Sequence, residues 1–472
     1  MSLNIFVTTG ILKSMKMVDG LIDRKHIYSP AIALVVLSIL IKTIWLLSIP
    51  NQNTLMENDS VRYLRISENF WSVFFGSNID TDSFFITPGY PLFLSLFPSE
   101  NFKLMVFCQL LLLGISQFIL FRLVLRQTSV KIAYFGLILF LLESSSSLES
   151  FNLLTETVFS FLFIFFLFLF GNGGGRTPNL FMSGFILGIA LIVRPVGQML
   201  LIPLLLMLAF QTWRRKIALV LLIAVAVSST WIIRNQVVFG VPQLSGIQSL
   251  NLLQFEGAGA FAKQNNVSLK EAQTAESKLE IIEVGQSSSI QSLVEYRVDR
   301  GIELITANPV GFIELHVEGA AKILFGPGAA NISKLTAHLE PSKIAMDFLK
   351  AVIVLMRLFI FSLVCISIYF ALRKRVFIPI QFYSIVSWIL ILISSGGANA
   401  YSRFRVPLIP LEIIIVCVGL SNPIQRAWLE KYIVKIKGVS RKLHQIAKRI
   451  LLFGSRPRKL LLFVPKFKKI IG

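Results

Sequence analysis

The chain has 472 residues, of which 54% are hydrophobic and 15% charged, and it carries 40 Phe. Soluble domains run nearer a quarter charged, so this balance excludes a large water-soluble globular protein and points to one that lives in a bilayer. The formal charge of +21 does not make a nucleic-acid binder, because the basic residues collect beside apolar runs, where they act as topology signals and as contacts to anionic lipid.

Residues 1–30 are polar and mixed and contain no cleavable signal, so they predict a cytoplasmic segment before a retained membrane anchor. Apolar runs then recur at 31–49, 103–121, 132–148, 153–170, 180–193, 196–210, 217–233, 348–371, 378–394 and 406–421. Runs of this length predict an all-α integral membrane protein of about ten transmembrane helices. Cys108, Cys365 and Cys417 all fall inside apolar runs, without metal-ligand or disulfide spacing.

Basic residues mark every second connection: Lys13 to Lys25 before the first run, then Arg122 to Lys131, Arg176, Arg214 to Lys216 and Arg373 to Arg375. Past the last run, Arg426 to Lys469 hold fourteen Lys or Arg against one acid, Glu430. The positive-inside rule therefore puts both termini in the cytoplasm. The organisation expected is a cytoplasmic segment 1–30, a membrane domain 31–421 and a basic cytoplasmic tail 422–472 that meets anionic lipid. The opposite side receives three outer loops, 50–102, 234–347 and 394–405, and uneven loops on one side locate the chemistry there. No internal repeat of the kind an inverted-repeat transporter carries is evident.

In the first outer loop, "ENDSVRYLRISENF" places Tyr63, Ile66, Phe70 and Phe74 on one helical face, as an amphipathic helix in the interface does. Asp59 sits at its start, where a helix cap and a functional acid are both open readings. Farther on, "TPGYP" sets Gly89 between Pro88 and Pro91, a loop-shaping turn that brings Pro88, Gly89 and Tyr90 towards a substrate.

Glu143, Glu149 and Glu156 surround the turn between the third and fourth runs. Glu156 lies inside apolar sequence, where an ionisable group faces protein or a watery cavity, although an interfacial helix start beside Thr155 also accounts for it. The glycines of "GNGGGR" lack the Gly-Lys-Ser/Thr of a phosphate loop and read as a flexible connection. Arg194, Arg234, Arg403 and Arg405 stand at outer ends of runs, against the positive-inside rule. Four guanidinium groups there point to an anion such as phosphate, with lipid headgroups and the nearby acids as the plainer explanation. The long loop shows helical periodicity with mixed charge, and Asn308-Pro309 marks a helix entry, so a small helical subdomain is predicted on the outer face. His316 and His338 form no ligand pair.

"NDSVRYLRISENF" followed by "ITPGYPLFLSLF" resembles the start of the GT-C class of polyprenol-phosphate-sugar-dependent membrane glycosyltransferases, which includes protein O-mannosyltransferases and lipid A aminoarabinose transferases. The similarity continues in "LLTETVFSFL", "GFILGIALIVRPVG", "WIIRNQVVFG", "NPVGFIELHVEG" and "YSRFRVPLIPLEIIIV", in family order. It implies a multi-span helical fold with an outer-face site, a lipid-linked sugar donor, and a lipid, glycan or protein acceptor. Asp59 then takes the family's first-loop acid and Glu156 is a second acid, with Arg194, Arg234, Arg403 and Arg405 on the donor phosphate and Tyr63, Pro88, Gly89 and Tyr90 in the substrate loop. Two departures stand out: Asp59-Ser60 replaces an Asp-Glu pair, and Thr87 precedes Pro88 where relatives place Lys or His. A metal-free displacement suits these residues, with a divalent metal between Asp59 and Glu156 as the alternative. The rival functions are a lipid-linked glycan flippase and a polysaccharide polymerase or ligase. The setting expected is the inner (plasma) membrane of a cell envelope.

Overall fold

The computed structural model describes residues 24–76, 81–171, 177–210, 213–285, 289–374 and 378–421. The basic tail, most of the N-terminal segment and most of "GNGGGR" lie outside them. By internal contacts the described residues up to Val418 form one compact unit.

Among the described residues every regular element is helical. The membrane part opens with α1 (Arg24–Ser48), and the first outer loop holds the short helices α2 (Asn58–Glu68), α3 (Phe70–Phe74), α4 (Asp82–Phe85) and α5 (Gly89–Leu94). Next come α6 (Phe102–Gln127), α7 (Val130–Leu142), α8 (Ser144–Glu149), α9 (Glu156–Gly171) and α10 (Thr177–Val193). After a 3₁₀ turn (Pro195–Leu200) follow α11 (Leu201–Met207) and α12 (Arg214–Phe239). The long outer loop folds into α13 (Ile247–Asn251), a π-helical turn (Leu252–Gly257), α14 (Ala258–Asn265), α15 (Leu269–Val284), α16 (Ile290–Ala307), α17 (Pro309–Phe325) and α18 (Ala329–Thr336). The chain returns through α19 (Lys343–Lys374) and α20 (Pro379–Ser394), and a 3₁₀ turn (Ser402–Leu408) leads into α21 (Ile409–Ser421).

Each of the ten apolar runs is matched by a helix. Among the described residues five helical stretches are long and apolar enough to cross a membrane, and five apolar ones are shorter, at 10–17 residues. Boundaries differ where polar chemistry intervenes. The run read as 132–148 stops being helical at Leu142, because Glu143 turns extended and its carboxylate accepts from Ser146 N at 2.9 Å to cap α8. The run from 196 opens as a 3₁₀ turn behind Pro195.

The bundle is built around α9, which packs on α6 and α10. Apolar all round, it is buried almost throughout, with Phe159, Phe163, Phe166 and Phe170 stacked along it. Against α12, helix α10 presents Gly184 and Gly188, four residues apart and so on one face. A Cβ at Gly184 would lie 2.7 Å from Val220 O, and one at Gly188 2.6 Å from Val227 Cβ, so only hydrogen fits. Small residues at this spacing let two helix backbones approach in a membrane bundle. The outer faces of α1, α12 and α19 leave large apolar side chains open, among them Ile44, Leu47, Leu222, Ile233, Leu355 and Phe359, a surface that only lipid covers without cost. The chain is an all-α integral membrane protein.

The helices of the long loop are held by charge and close packing. Arg297 binds Glu280 through Nε and Nη2, both at 2.8 Å, and Arg300 binds Glu276 at 2.9 and 3.0 Å. Pro309 opens α17, where its missing N–H costs nothing.

Candidate active site

The start of α2 is fixed from outside. Glu57, not Asp59, is the N-cap, and Ser60 Oγ accepts from Glu57 N at 2.9 Å while donating to Leu153 O at 2.8 Å. Leu153 N in turn donates to Leu55 O at 2.9 Å, which ties the helix start to the turn before α9. Asp59 is therefore released from capping, and its side chain is 43% exposed. The expected helical face is real but broken at Asn69, and Tyr63, Ile66 and Val73 pack on Ile86 of the same loop rather than projecting outward.

That same turn delivers Glu156 as the first residue of α9, its side chain only 3% exposed. Arg194 ends α10 because Pro195 follows: the residue before a proline is driven out of the helical region, and Arg194 is extended at φ −148, ψ 122. Its Nη1 lies 2.8 Å from Glu156 Oε1. From the 3₁₀ turn Ser402–Leu408, Arg403 approaches both acids, with Nη2 3.4 Å from Asp59 Oδ2 and Nε 4.0 Å from Glu156 Oε1. Phe404 lies beneath both guanidinium groups, its ring centre 5.4 Å from Arg194 and 5.1 Å from Arg403, an arrangement that favours cations over an aromatic face.

These groups line a cavity of about 560 Å³, together with Arg62, Tyr63, Thr87 and residues of the 247–256 and 394–399 segments. Asp59 and Glu156, 97 positions apart by number, thus meet Arg194 and Arg403 in one place. The lining comes from connections that alternate with the basic ones and from the helix ends that adjoin them. Val196, Met199, Leu250 and Phe255 give the cavity an apolar wall. Burial and the Asp59 and Glu156 carboxylates raise the Tyr63 hydroxyl, which stays protonated as a donor.

Two of the four arginines go elsewhere. Arg234 is buried, donating to Val73 O at 2.7 Å, Ser83 Oγ at 3.0 Å and Asn235 Oδ1 at 3.0 Å, with Trp231 and Phe239 against its guanidinium. Arg405 is fully buried, donating to Ser145 Oγ and to the carbonyls of Ile323, Leu324 and Gly326, 3.6 Å from Glu143. Both act as braces between segments, and neither lines the cavity. The substrate loop is corrected likewise. Thr87 lines the cavity and donates to Val193 O at 3.0 Å, whereas Gly89 is buried where a Cβ would come 2.8 Å from Ile192 O. Tyr90 is buried too, its hydroxyl donating to Gln109 Oε1 at 2.8 Å. Pro88 is the N-cap of α5 and, like Gly89 and Tyr90, is not among the residues that line the cavity.

Glu149 lies just behind this site, buried, with Asn152 Nδ2 donating to it at 3.0 Å. Burial, reinforced by the Glu156 charge, pushes its carboxyl up to about 7. Lys334 pairs with Glu57 and donates to Asn152 Oδ1 at 2.7 Å, so α18 braces the α2 start as well. Two charged lining groups, Arg62 and Glu256, are not among the residues singled out from the sequence. The signal for Glu256 was there, as the lone charge between Asn251 and Lys263 in "LLQFEGAGAFA". Among the described residues no three His, Cys, Asp or Glu side chains gather as a metal requires, and a guanidinium stands between Asp59 and Glu156.

Fold and site together define a helical membrane protein with a polar, arginine-lined cavity among the connections on one side of its bundle. No family model and no curated protein matches the chain. Two solved structures are similar to it. One is the archaeal oligosaccharyltransferase AglB from Archaeoglobus fulgidus, in complex with an inhibitory peptide and a dolichol-phosphate, at 14% identity and a TM-score of 0.44, covering 87% of this chain. The chain spans 52% of the length of AglB. The other is ArnT from Cupriavidus metallidurans in the apo state, at 14% identity and a TM-score of 0.37, covering 83% of this chain and 78% of that one.

Proposed function

We propose that the protein is a membrane glycosyltransferase that moves a sugar from a polyprenyl-phosphate donor to a hydroxyl of a lipid, glycan or protein acceptor on the outer face of the plasma membrane. The observation that carries this reading is the meeting of Asp59, Glu156, Arg194 and Arg403 in one cavity. The ordered sequence resemblance supports it.

The chemistry follows from where charge develops. A sugar leaving a lipid phosphate gains positive character at its anomeric carbon while the phosphate gains negative charge. Arg403, its contacts to Asp59 long at 3.4–3.5 Å, and Arg62 at the rim receive that phosphate and stabilise it. Arg194 is held by Glu156 and adds field from beneath. Asp59 takes the proton of the attacking acceptor hydroxyl as general base. The oxygen attacks the anomeric carbon, the C–O bond to phosphate breaks, and one displacement inverts the centre. The apolar wall suits the first isoprene units of the donor.

Asp59→Asn keeps the shape and removes the base. Sugar transfer from synthetic polyprenyl-phosphate glycosides, assayed in membranes, should fall about 100- to 10,000-fold. Unchanged transfer removes Asp59 from the reaction, and lipid-glycan transport without transfer makes the protein a flippase.

A further inference from the structure

A third carboxylate reaches the cavity, and the proposed reaction does not use it. Glu256 sits on the π-helical turn Leu252–Gly257, packed on α16 where Gly301 allows close approach. An extra residue in a helical turn re-aims the side chains around it, and such turns recur at functional sites. Asp59 and Glu156 each face a guanidinium, whereas Glu256 has the imidazole of His316 beside it, with Nε2 3.4 Å from Oε2. His316 Nδ1 donates to Phe312 O at 3.1 Å, which fixes the ring. Glu256 Oε2 is buried and has no hydrogen-bond partner among the described residues. Behind the carboxylate stands Gly397, where any Cβ would overlap it. The side chain as a whole is 21% exposed and lines the cavity, and the missing Cβ of Gly397 leaves room for its carboxylate there.

Its neighbours in the lining are neutral: Gln248, Asn251, Ser394, Ser395 and Asn399. Besides its apolar wall, the cavity therefore has two kinds of polar lining, one of guanidinium groups with their paired acids and one of amides, hydroxyls and a single acid. A phosphate would be repelled by the second lining, and an isoprene chain would leave it unsatisfied. Adjacent ring hydroxyls fit it, because one carboxylate accepts from two of them while amides and hydroxyls take the rest. We infer that Glu256, positioned by His316 and Gly397, reads the hydroxyls of a sugar ring in this cavity and so sets which sugar the protein accepts. This rests on the glycosyl-transfer reading, and the ring belongs either to the donor or to the acceptor.

Full-length protein in lipid nanodiscs provides the test. Binding is measured for bare undecaprenyl phosphate, for the same lipid carrying glucose, galactose, mannose or arabinose, and for the free methyl glycosides. Wild type should bind one sugar-bearing lipid more tightly than the bare one. Glu256→Gln should weaken that sugar-dependent gain about ten- to a hundredfold while leaving bare lipid-phosphate affinity unchanged. Gly397→Ala, which displaces the carboxylate without altering it, should do the same. A gain seen with a methyl glycoside on top of bare lipid, and lost in both variants, assigns the ring to the acceptor. A gain equal in wild type and variants, or absent for every sugar, overturns the inference. Absence of bare lipid-phosphate binding in wild type overturns the glycosyl-transfer reading itself.

Discussion

At the scale of single residues, the sequence exposed the charges but not their partners. Four outer arginines read alike in one dimension, yet Arg194 and Arg403 meet acids in the cavity while Arg234 and Arg405 are consumed by carbonyls and hydroxyls. Nothing in "AYSRFRVP" tells which of two arginines a residue apart will face Ser145 and the carbonyls of 323–326, because those partners are remote in sequence. The difference makes opposite predictions. Arg405→Ala leaves Glu143 buried without its cation, which costs about 3–5 kcal/mol, and the melting temperature in detergent should drop steeply. Arg403→Ala removes a partly exposed group; the melting temperature should hold while transfer collapses. Glu149 gives a pH prediction. Its folded carboxyl titrates at about 7 against an ordinary 4.5, so between those values the folded state holds the extra proton. Stability therefore falls as pH rises through that window and levels off above it. Thermal unfolding in detergent from pH 4.5 to 8 should show this slope, and Glu149→Gln should flatten it and raise stability above pH 7. A flat wild-type profile would remove the burial argument for Glu149.

At the scale of elements, helix existence was legible and helix ends were not. Apolar runs announced α6, α9 and α12 by length alone, but Glu143 cut one run short and Asn69 split the first-loop helix, both through backbone turns that hydropathy ignores. The π-helical turn was invisible for the same reason, since its composition is that of any buried segment. Helix α10 shows how an element sets a site: Gly184 and Gly188 seat it on α12, and Pro195 ends it so that Arg194 turns to Glu156. Gly188→Leu should push the two helices apart at a cost of about 1–3 kcal/mol, seen as a lower melting temperature together with weaker lipid-phosphate binding. Pro195→Ala relaxes only the end of α10. Its melting temperature should stay near wild type while transfer falls several-fold, and a variant with full activity would show that Arg194 is held by Glu156 alone.

At the scale of the whole molecule, the alternation of basic and non-basic connections and the composition of the cavity agree without sharing evidence. Charge counting separates the connections into two sets using Lys and Arg beside the runs, and the cavity draws its lining from one set and the helix ends adjoining it, including segments as remote as 59, 156, 194, 256 and 403. A bundle whose helices cross and return brings alternate connections to the same face, so the two patterns are consequences of one topology. Charge counting predicts the direction of that topology, with the basic set in the cytoplasm and the cavity opening on the other side. In a background with Cys108, Cys365 and Cys417 changed to Ser, exposed positions on each side can be given a single thiol. Lys270→Cys, in α15, should react with a membrane-impermeant maleimide on intact spheroplasts, and Lys131→Cys, in α7, only after permeabilisation. Labelling of Lys131→Cys from outside would invert the molecule and place the cavity where a cytoplasmic donor meets it, leaving the outer-face transfer reaction without a site.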